Sequence, residues 1–196
     1  MVKNIEDIIG SSGGRVWEML PSTDDKVYIK TPDAKAILAR GIKHFVGDGA
    51  VWLPEYDKVA SWLEDNKGRG LLCIGNCGRG KSVICANVLP VIFQHWHRKI
   101  MNTVSATGLN SCYDVYVGYK IISIDDVGIE PVANVYGEKH SYFTEIVDAA
   151  EKMDKLLVVT SNMNIEELLE RYGERTIDRL RALTTVVVFK GESLRK

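Results

Sequence analysis

The sequence has no long apolar run, no surplus of charge and few cysteines, and each shortage excludes something. In 196 residues, 25 Lys plus Arg face 26 Asp plus Glu, for a formal net charge of −1. A protein that coats nucleic acid by bulk electrostatics needs a large positive surplus, so any nucleic-acid contact here must rest on a local patch. The longest apolar stretches, such as residues 185–189, are far too short to span a bilayer. The opening MVKNIEDIIG places acids where a signal peptide needs an apolar core. The expectation is a soluble, cytoplasmic protein with no membrane contact. Cys73, Cys77, Cys85 and Cys112 are scattered through apolar segments rather than spaced as a framework, which fits free thiols in a reducing compartment. Internal repeats and low-complexity tracts are lacking too. What is present, 45% hydrophobic and 26% charged residues, is a globular composition that suits one domain.

Residues 1–33 read as a short N-terminal segment suited to binding a partner, with a strand at residues 26–30, and residues 34–196 read as the domain. From Thr31-Pro32 onward, Ala34, Ile37, Leu38, Ile42 and Phe45 recur at helical spacing, with Thr31 placed to cap and Pro32 suited to the first turn. A second helix is expected over residues 54–64. Beyond it, short apolar runs alternate with helical stretches: strands at 71–74, 101–106, 119–124, 156–160 and 184–189, and helices at 81–98, 142–153, 165–172 and 175–181. Apolar strands without polar alternation, joined by helices, indicate a parallel sheet covered on both faces.

The strongest motif is GNCGRGKS, residues 75–82. Gly75, Gly80, Lys81 and Ser82 occupy the places a phosphate loop requires, and Gly78 adds a further glycine. An apolar strand precedes it and a helix follows. The backbone N–H groups of Gly75, Asn76, Cys77, Gly78, Arg79 and Gly80, with the helix N-terminus, can then converge on phosphate oxygens. Lys81 supplies a mobile cation to the β- and γ-phosphates of ATP, and the Ser82 hydroxyl is a ligand for Mg²⁺. The second motif, IISIDDVG at residues 121–128, is an apolar strand ending in two acids, which in a doubly wound sheet point into the ligand crevice. Asp125 suits Mg²⁺ held through water, and Asp126 suits orienting the attacking water; the alternative is a solvated turn. The third, LLVVTSN at residues 156–162, ends a buried strand on the same edge. Asn162 can place its amide between the γ-phosphate and that water, or can cap the helix that follows, a role Asn164 can also fill. Arg171, Arg175 and Arg179 sit four apart, with Glu167 four before Arg171, and the plain reading of Arg171 is an ion-paired solvated face. Cys73 with Cys77 and His95 with His97 are not read as a zinc site. Trp52, Tyr56, Trp62 and Trp96 are read as packing residues, the first two with an option to border the adenine.

Together these segments resemble the AAA+ ATPases. The run IDDVGIEP at 124–131, the tail TSNMNIEELLERYGERTIDRLR at 160–181 and the closing GESLRK narrow the resemblance to bacterial replicative helicase loaders of DnaC type and their IstB-type relatives in transposition. The likeness covers roughly residues 34–196. It implies a three-layer αβα sandwich on a five-stranded parallel sheet of order 5-1-4-3-2, without a separate helical lid. It further implies Mg²⁺-dependent ATP hydrolysis coupled to loading or remodelling a helicase on DNA, Arg179 as the finger reaching a neighbouring subunit's ATP with Arg175 as a second candidate, and Arg195 as a nucleotide-sensing arginine. The partners so implied are a replicative helicase, single-stranded DNA and further copies of the chain in a ring or spiral. Residues 99–118, where loaders carry helices implicated in strand binding, are shorter here, which weakens the DNA expectation. A transposase helper, a nucleotide-gated adaptor that scarcely hydrolyses, and a small-molecule kinase are the rival functions.

Overall fold

The computed structural model describes residues 26–131, 133–135 and 138–194. The N-terminal tail before Lys26, and Arg195, lie outside the described residues. The chain runs α1 (Ala34–Val46), α2 (Pro54–Glu64), β1 (Gly70–Gly75), a π-helical segment (Val83–Val88) continued by α3 (Leu89–His97), β2 (Asn102–Ser105), α4 (Ala106–Tyr116), β3 (Ile121–Val127), a hairpin of β4 (Ala133–Val135) and β5 (Glu138–His140), α5 (Tyr142–Lys152), β6 (Leu156–Ser161), α6 (Ile165–Tyr172), α7 (Glu174–Leu183) and β7 (Thr184–Phe189).

Five strands form one all-parallel sheet in the order β2-β3-β6-β1-β7. Counting these five alone, that is the expected 5-1-4-3-2 order. Side chains alternate across the sheet. On one face Leu71, Cys73, Val158, Val187 and Phe189 pack with α1, α2 and α3 through Leu38, Leu63 and Phe93. On the other, Leu72, Ile74, Ile122, Ile124 and Val159 pack with α4 to α7 through Leu109, Phe143, Ile146, Leu168 and Ile177. Each of these side chains is almost wholly withdrawn from water, and burial of one Leu, Ile or Phe contributes about 1.5–3 kcal/mol. Within the described residues no helical lid follows β7; instead residues 190–194 cross the phosphate loop, with Leu194 N–H donating to Gly78 O at 3.0 Å.

Several expectations are corrected. Residues 26–30 join no sheet. Val27 and Ile29 are buried, and the Asn66 side chain stands in for a neighbouring strand, accepting from Ile29 N–H at 2.9 Å and donating to Val27 O at 2.9 Å. Thr31 does not cap α1: its hydroxyl bonds His97 Nε2 at 2.8 Å, and Asp33 takes the N-cap position in a left-handed conformation without a side-chain cap. The helix expected over 81–98 is not uniformly α. Pro90 offers no N–H and its ring crowds the carbonyl four residues back, so the preceding turn widens and Leu89 N–H reaches Ile84 O. Helix α4 and the 133–140 hairpin were not expected at all. Trp62 and Tyr56 are core residues as read, whereas Trp96 lies half exposed on the surface.

Candidate functional site

The site lies where the C-terminal ends of β1, β3 and β6 meet the phosphate loop. A cavity of about 380 Å³ opens there, lined by Cys77, Gly78, Gly80, Lys81, Ser82, Asp126 and Asn162 at one end. Ile42, Val46, Ala50 and Val51 add apolar wall, and Tyr56 and Leu194 line it close to the loop, at Gly80 and Gly78. Polar groups thus gather at the loop, and the remaining wall suits a flat apolar ring. Tyr56, a core residue, also borders the cavity, and Trp52 does not line it.

Two glycines let this loop turn and pack closely on its neighbours. Gly78 and Gly80 have φ of 75° and 83°, a region that L side chains rarely adopt. A Cβ on Gly78 would meet Ser193 Oγ at 2.0 Å, and one on Gly80 would meet the Tyr56 hydroxyl at 2.5 Å. That hydroxyl donates to Arg79 O at 2.9 Å, and burial pushes its pKa up to about 12, so Tyr56 stays a neutral donor.

Lys81 is buried, yet satisfied. Its Nζ donates to Gly75 O, Asn76 O and Asn162 Oδ1, each at 2.8 Å. Burial lowers its pKa, and the nearby Cys77 and Asp126 act against that shift. Asn162 in turn donates from Nδ2 to Asp126 Oδ1 at 3.1 Å. The three sequence-predicted residues Lys81, Asn162 and Asp126 therefore form one hydrogen-bonded line along the cavity wall. Capping of α6 falls to Asn164, whose Oδ1 accepts from Glu167 N–H at 2.9 Å while Glu167 returns a bond to Asn164 N–H at 2.7 Å.

Asp125 and Asp126 belong to β3, which runs three residues further than the apolar pattern suggested and slips register between Ile124 and Val127. Asp126 has φ of 56°, and Thr160 on the next strand fixes both acids: its hydroxyl donates to Asp125 Oδ1 at 2.5 Å and accepts from Asp126 N–H at 2.9 Å. Sequence reasoning missed Thr160, although its place two residues before Asn162 was the available signal. It also missed the buried Glu130, which accepts from Gly128 N–H at 2.8 Å and from the Tyr172 hydroxyl.

Other candidates stand elsewhere. The Arg79 side chain turns away from the cavity and donates from Nε and Nη2 to Glu55 Oε1 at 2.9 and 2.7 Å, and from Nη1 to Glu192 O at 3.2 Å. The two side chains are only 10% and 8% exposed, so Arg79 is a structural member of the loop rather than a phosphate ligand through its guanidinium. Asn76 likewise turns aside, its N–H on Phe189 O and its Nδ2 on Gly191 O, and neither it nor Gly75 lines the cavity. Arg171 is exposed as read, but its partner is Glu130 rather than Glu167. It donates to Glu130 O and packs over the Tyr172 ring. Arg179, on α7, pairs with Asp148 and with Glu151 Oε2, the latter at 2.7 Å, and is 20% exposed; Arg175 is 77% exposed, with Asp148 at 3.8 Å.

The residues present fit ATP with Mg²⁺. Lys81 presents an ammonium at the loop and the Ser82 hydroxyl, a hard oxygen of the kind that suits magnesium, lines the same cavity, whereas Asp125 stands just behind the lining with Oδ1 accepting from Thr160.

No family model matches the chain, and no curated protein matches it in sequence. Among solved structures it is similar to DnaI (18% identity, 82% of this chain and 87% of that one, TM-score 0.52). It is also similar to the DnaC helicase loader (16% identity, 82% and 93%, TM-score 0.51). A third is AMPPCP-bound DnaA from Aquifex aeolicus (12% identity, 72% of this chain, TM-score 0.56), of which this chain spans 48%. These likenesses, with the five-stranded parallel sheet of this chain, make the fold that of an AAA+ P-loop domain.

Proposed function

We propose that the chain binds ATP with Mg²⁺ in the cavity, hydrolyses it, and uses the cycle to load or remodel a replicative helicase on DNA. The observation that carries the nucleotide reading is the Lys81–Asn162–Asp126 line. Lys81 is held by loop carbonyls where the β- and γ-phosphates of a triphosphate would lie, and a γ-phosphate oxygen would take over its bond from Asn162. The freed Asn162 amide then bridges the phosphate to the water that Asp126 orients and from which it draws a proton. Ser82 and Asp125 would hold magnesium, which would supply neutralisation of charge on the phosphate oxygens. Titration calorimetry with ATP and Mg²⁺ tests the reading: Lys81→Ala should abolish binding, and unchanged affinity would refute the phosphate-loop assignment.

The helicase step is supported by the fold shared with DnaI and the DnaC helicase loader, together with the tail motif at 160–181. Recovery of a helicase from host extract in the presence of ATP supports loading, and recovery of a transposase supports an IstB-type helper. The pairing of Arg179 within its own subunit favours a second reading, a nucleotide-gated adaptor that hydrolyses slowly until a neighbour or partner draws the arginine away. In that assembly Arg175, and Arg179 once released, serve as fingers to the adjoining site.

A further inference from the structure

After the two acids β3 keeps a single further pairing, Val127 with Ser161, and then leaves the sheet. Gly128 sits at φ of 110°, where a Cβ would meet Met163 Sδ at 2.6 Å. The segment is nevertheless pinned. Ser161 donates from Oγ to Val127 O at 2.5 Å, and the Glu130 carboxylate takes the Gly128 N–H at 2.8 Å on one oxygen. The other oxygen accepts from the Tyr172 hydroxyl, the last residue of α6, while Arg171 donates to the Glu130 carbonyl.

A buried carboxylate is costly unless it is hydrogen-bonded. Glu130 is 7% exposed and shares its two oxygens between the acid loop and a helix end, so it has been placed rather than left over. The geometry closes a circuit. Helix α6 starts three residues after Asn162, which touches Asp126, and ends at Tyr172, which reaches the same loop through Glu130. The next residue, Gly173, leads into α7 with Arg175 and Arg179.

We propose that Glu130 is a positioning residue for hydrolysis: its carboxylate fixes the backbone beyond Asp126 and ties it to the α6–α7 junction, so that displacement of α7 alters the aim of Asp126. This rests on the hydrolase reading above. The mechanism requires no contact between Glu130 and nucleotide, and it separates binding from turnover. Loss of the tie leaves the phosphate loop, Lys81 and the apolar wall of the cavity untouched.

The test measures ATP affinity, KM, kcat and unfolding midpoint for the full chain, Glu130→Ala, Tyr172→Phe and their combination, with activity read well below each midpoint. Expected are affinity and KM within about threefold of the parent and a kcat lowered about ten- to hundredfold in Glu130→Ala, the range that small misplacement of a reacting group produces. Tyr172→Phe should lower kcat in the same sense, and the combination should be no slower than Glu130→Ala alone, because both changes cut one tie. Unchanged kcat in folded Glu130→Ala, a parallel collapse of affinity, or simple additivity of the two variants would each overturn the proposal. Should Glu130→Ala not fold, Tyr172→Phe, which loses one hydroxyl, decides by its own kcat. A parent chain that binds ATP but shows no turnover, with helicase and DNA supplied, refutes the hydrolase reading and the inference with it. A parent that turns over beside equally fast variants refutes the inference alone.

Discussion

Removing Glu55 leaves the Arg79 guanidinium buried without its counter-charge, and the size of the effect follows from the geometry. The two side chains are about nine-tenths withdrawn from water, and both Arg79 donors converge on one carboxylate oxygen at 2.9 and 2.7 Å. Breaking a buried pair by deleting one partner costs about 3–5 kcal/mol, against a total stability of about 5–15 kcal/mol for a typical domain. Glu55→Ala should therefore lower the urea midpoint by about 1–2 M at a slope of about 3 kcal/mol per M. Glu55→Gln keeps an acceptor and loses only the charge, so its cost should be about 1–3 kcal/mol. The decisive variant is the double replacement Glu55→Leu with Arg79→Met. If the penalty is that of an unpaired charge, removing both charges should recover most of the loss, because apolar residues of similar volume commonly replace buried pairs at little cost. A Glu55→Ala midpoint within about 0.3 M of the parent, or a double variant as unstable as the single one, would refute the reasoning.

Asp126→Asn should retain ATP and Mg²⁺ binding and stop turnover, since an amide cannot accept the water's proton; hydrolysis at the parental rate in a steady-state phosphate assay would remove Asp126 from that role. Mixing Asp126→Asn with the Arg175→Ala, Arg179→Ala double variant should restore some hydrolysis at interfaces that pair an intact site with an intact finger. No recovery in a mixture shown by light scattering to co-assemble would place the finger elsewhere. Burial, with Lys99 adding to it, holds the His97 pKa below its ordinary 6.5. His97 thus contributes stability fully present above pH 6.5 and lost as pH falls through the lowered pKa. Urea unfolding between pH 7.5 and 5 should show a smaller loss for His97→Gln than for the parent, and equal losses would contradict the assignment.

The sheet was legible because three of its five strands carry unbroken runs of four apolar residues, and the phosphate loop because its glycines and lysine sit at fixed spacing. Helix α4 was hidden by Thr107, Gly108, Asn110, Ser111 and Asp114, and it is kinked at Cys112, where φ is −134°. Its start is capped by Ser105, which accepts from Gly108 N–H at 3.0 Å. Other misses share a cause, namely partners remote in sequence. Thr31 meets His97, Arg79 meets Glu55 and Arg171 meets Glu130, and no local pattern ranks those partners above Glu167 or a phosphate. The two roles weighed for Asn162 separate in the chain: Asn164 caps α6, and the Asn162 amide lies between Lys81 and Asp126.

The strand order carries a consequence for synthesis. β1, which presents the phosphate loop, lies between β6 and β7, both from the last part of the chain, and Asn76 bonds Gly191, 115 positions onward. At about 5–20 residues per second a ribosome takes roughly 6–23 s to cover that interval. Leu71, Leu72, Cys73 and Ile74 have no neighbouring strand to pair with until β6 has been made, and they lack the second until β7 follows. The nucleotide cradle is thus among the last features of the nascent molecule to form. Any chain stopped before Thr184 lacks one edge of the strand beneath its phosphate loop.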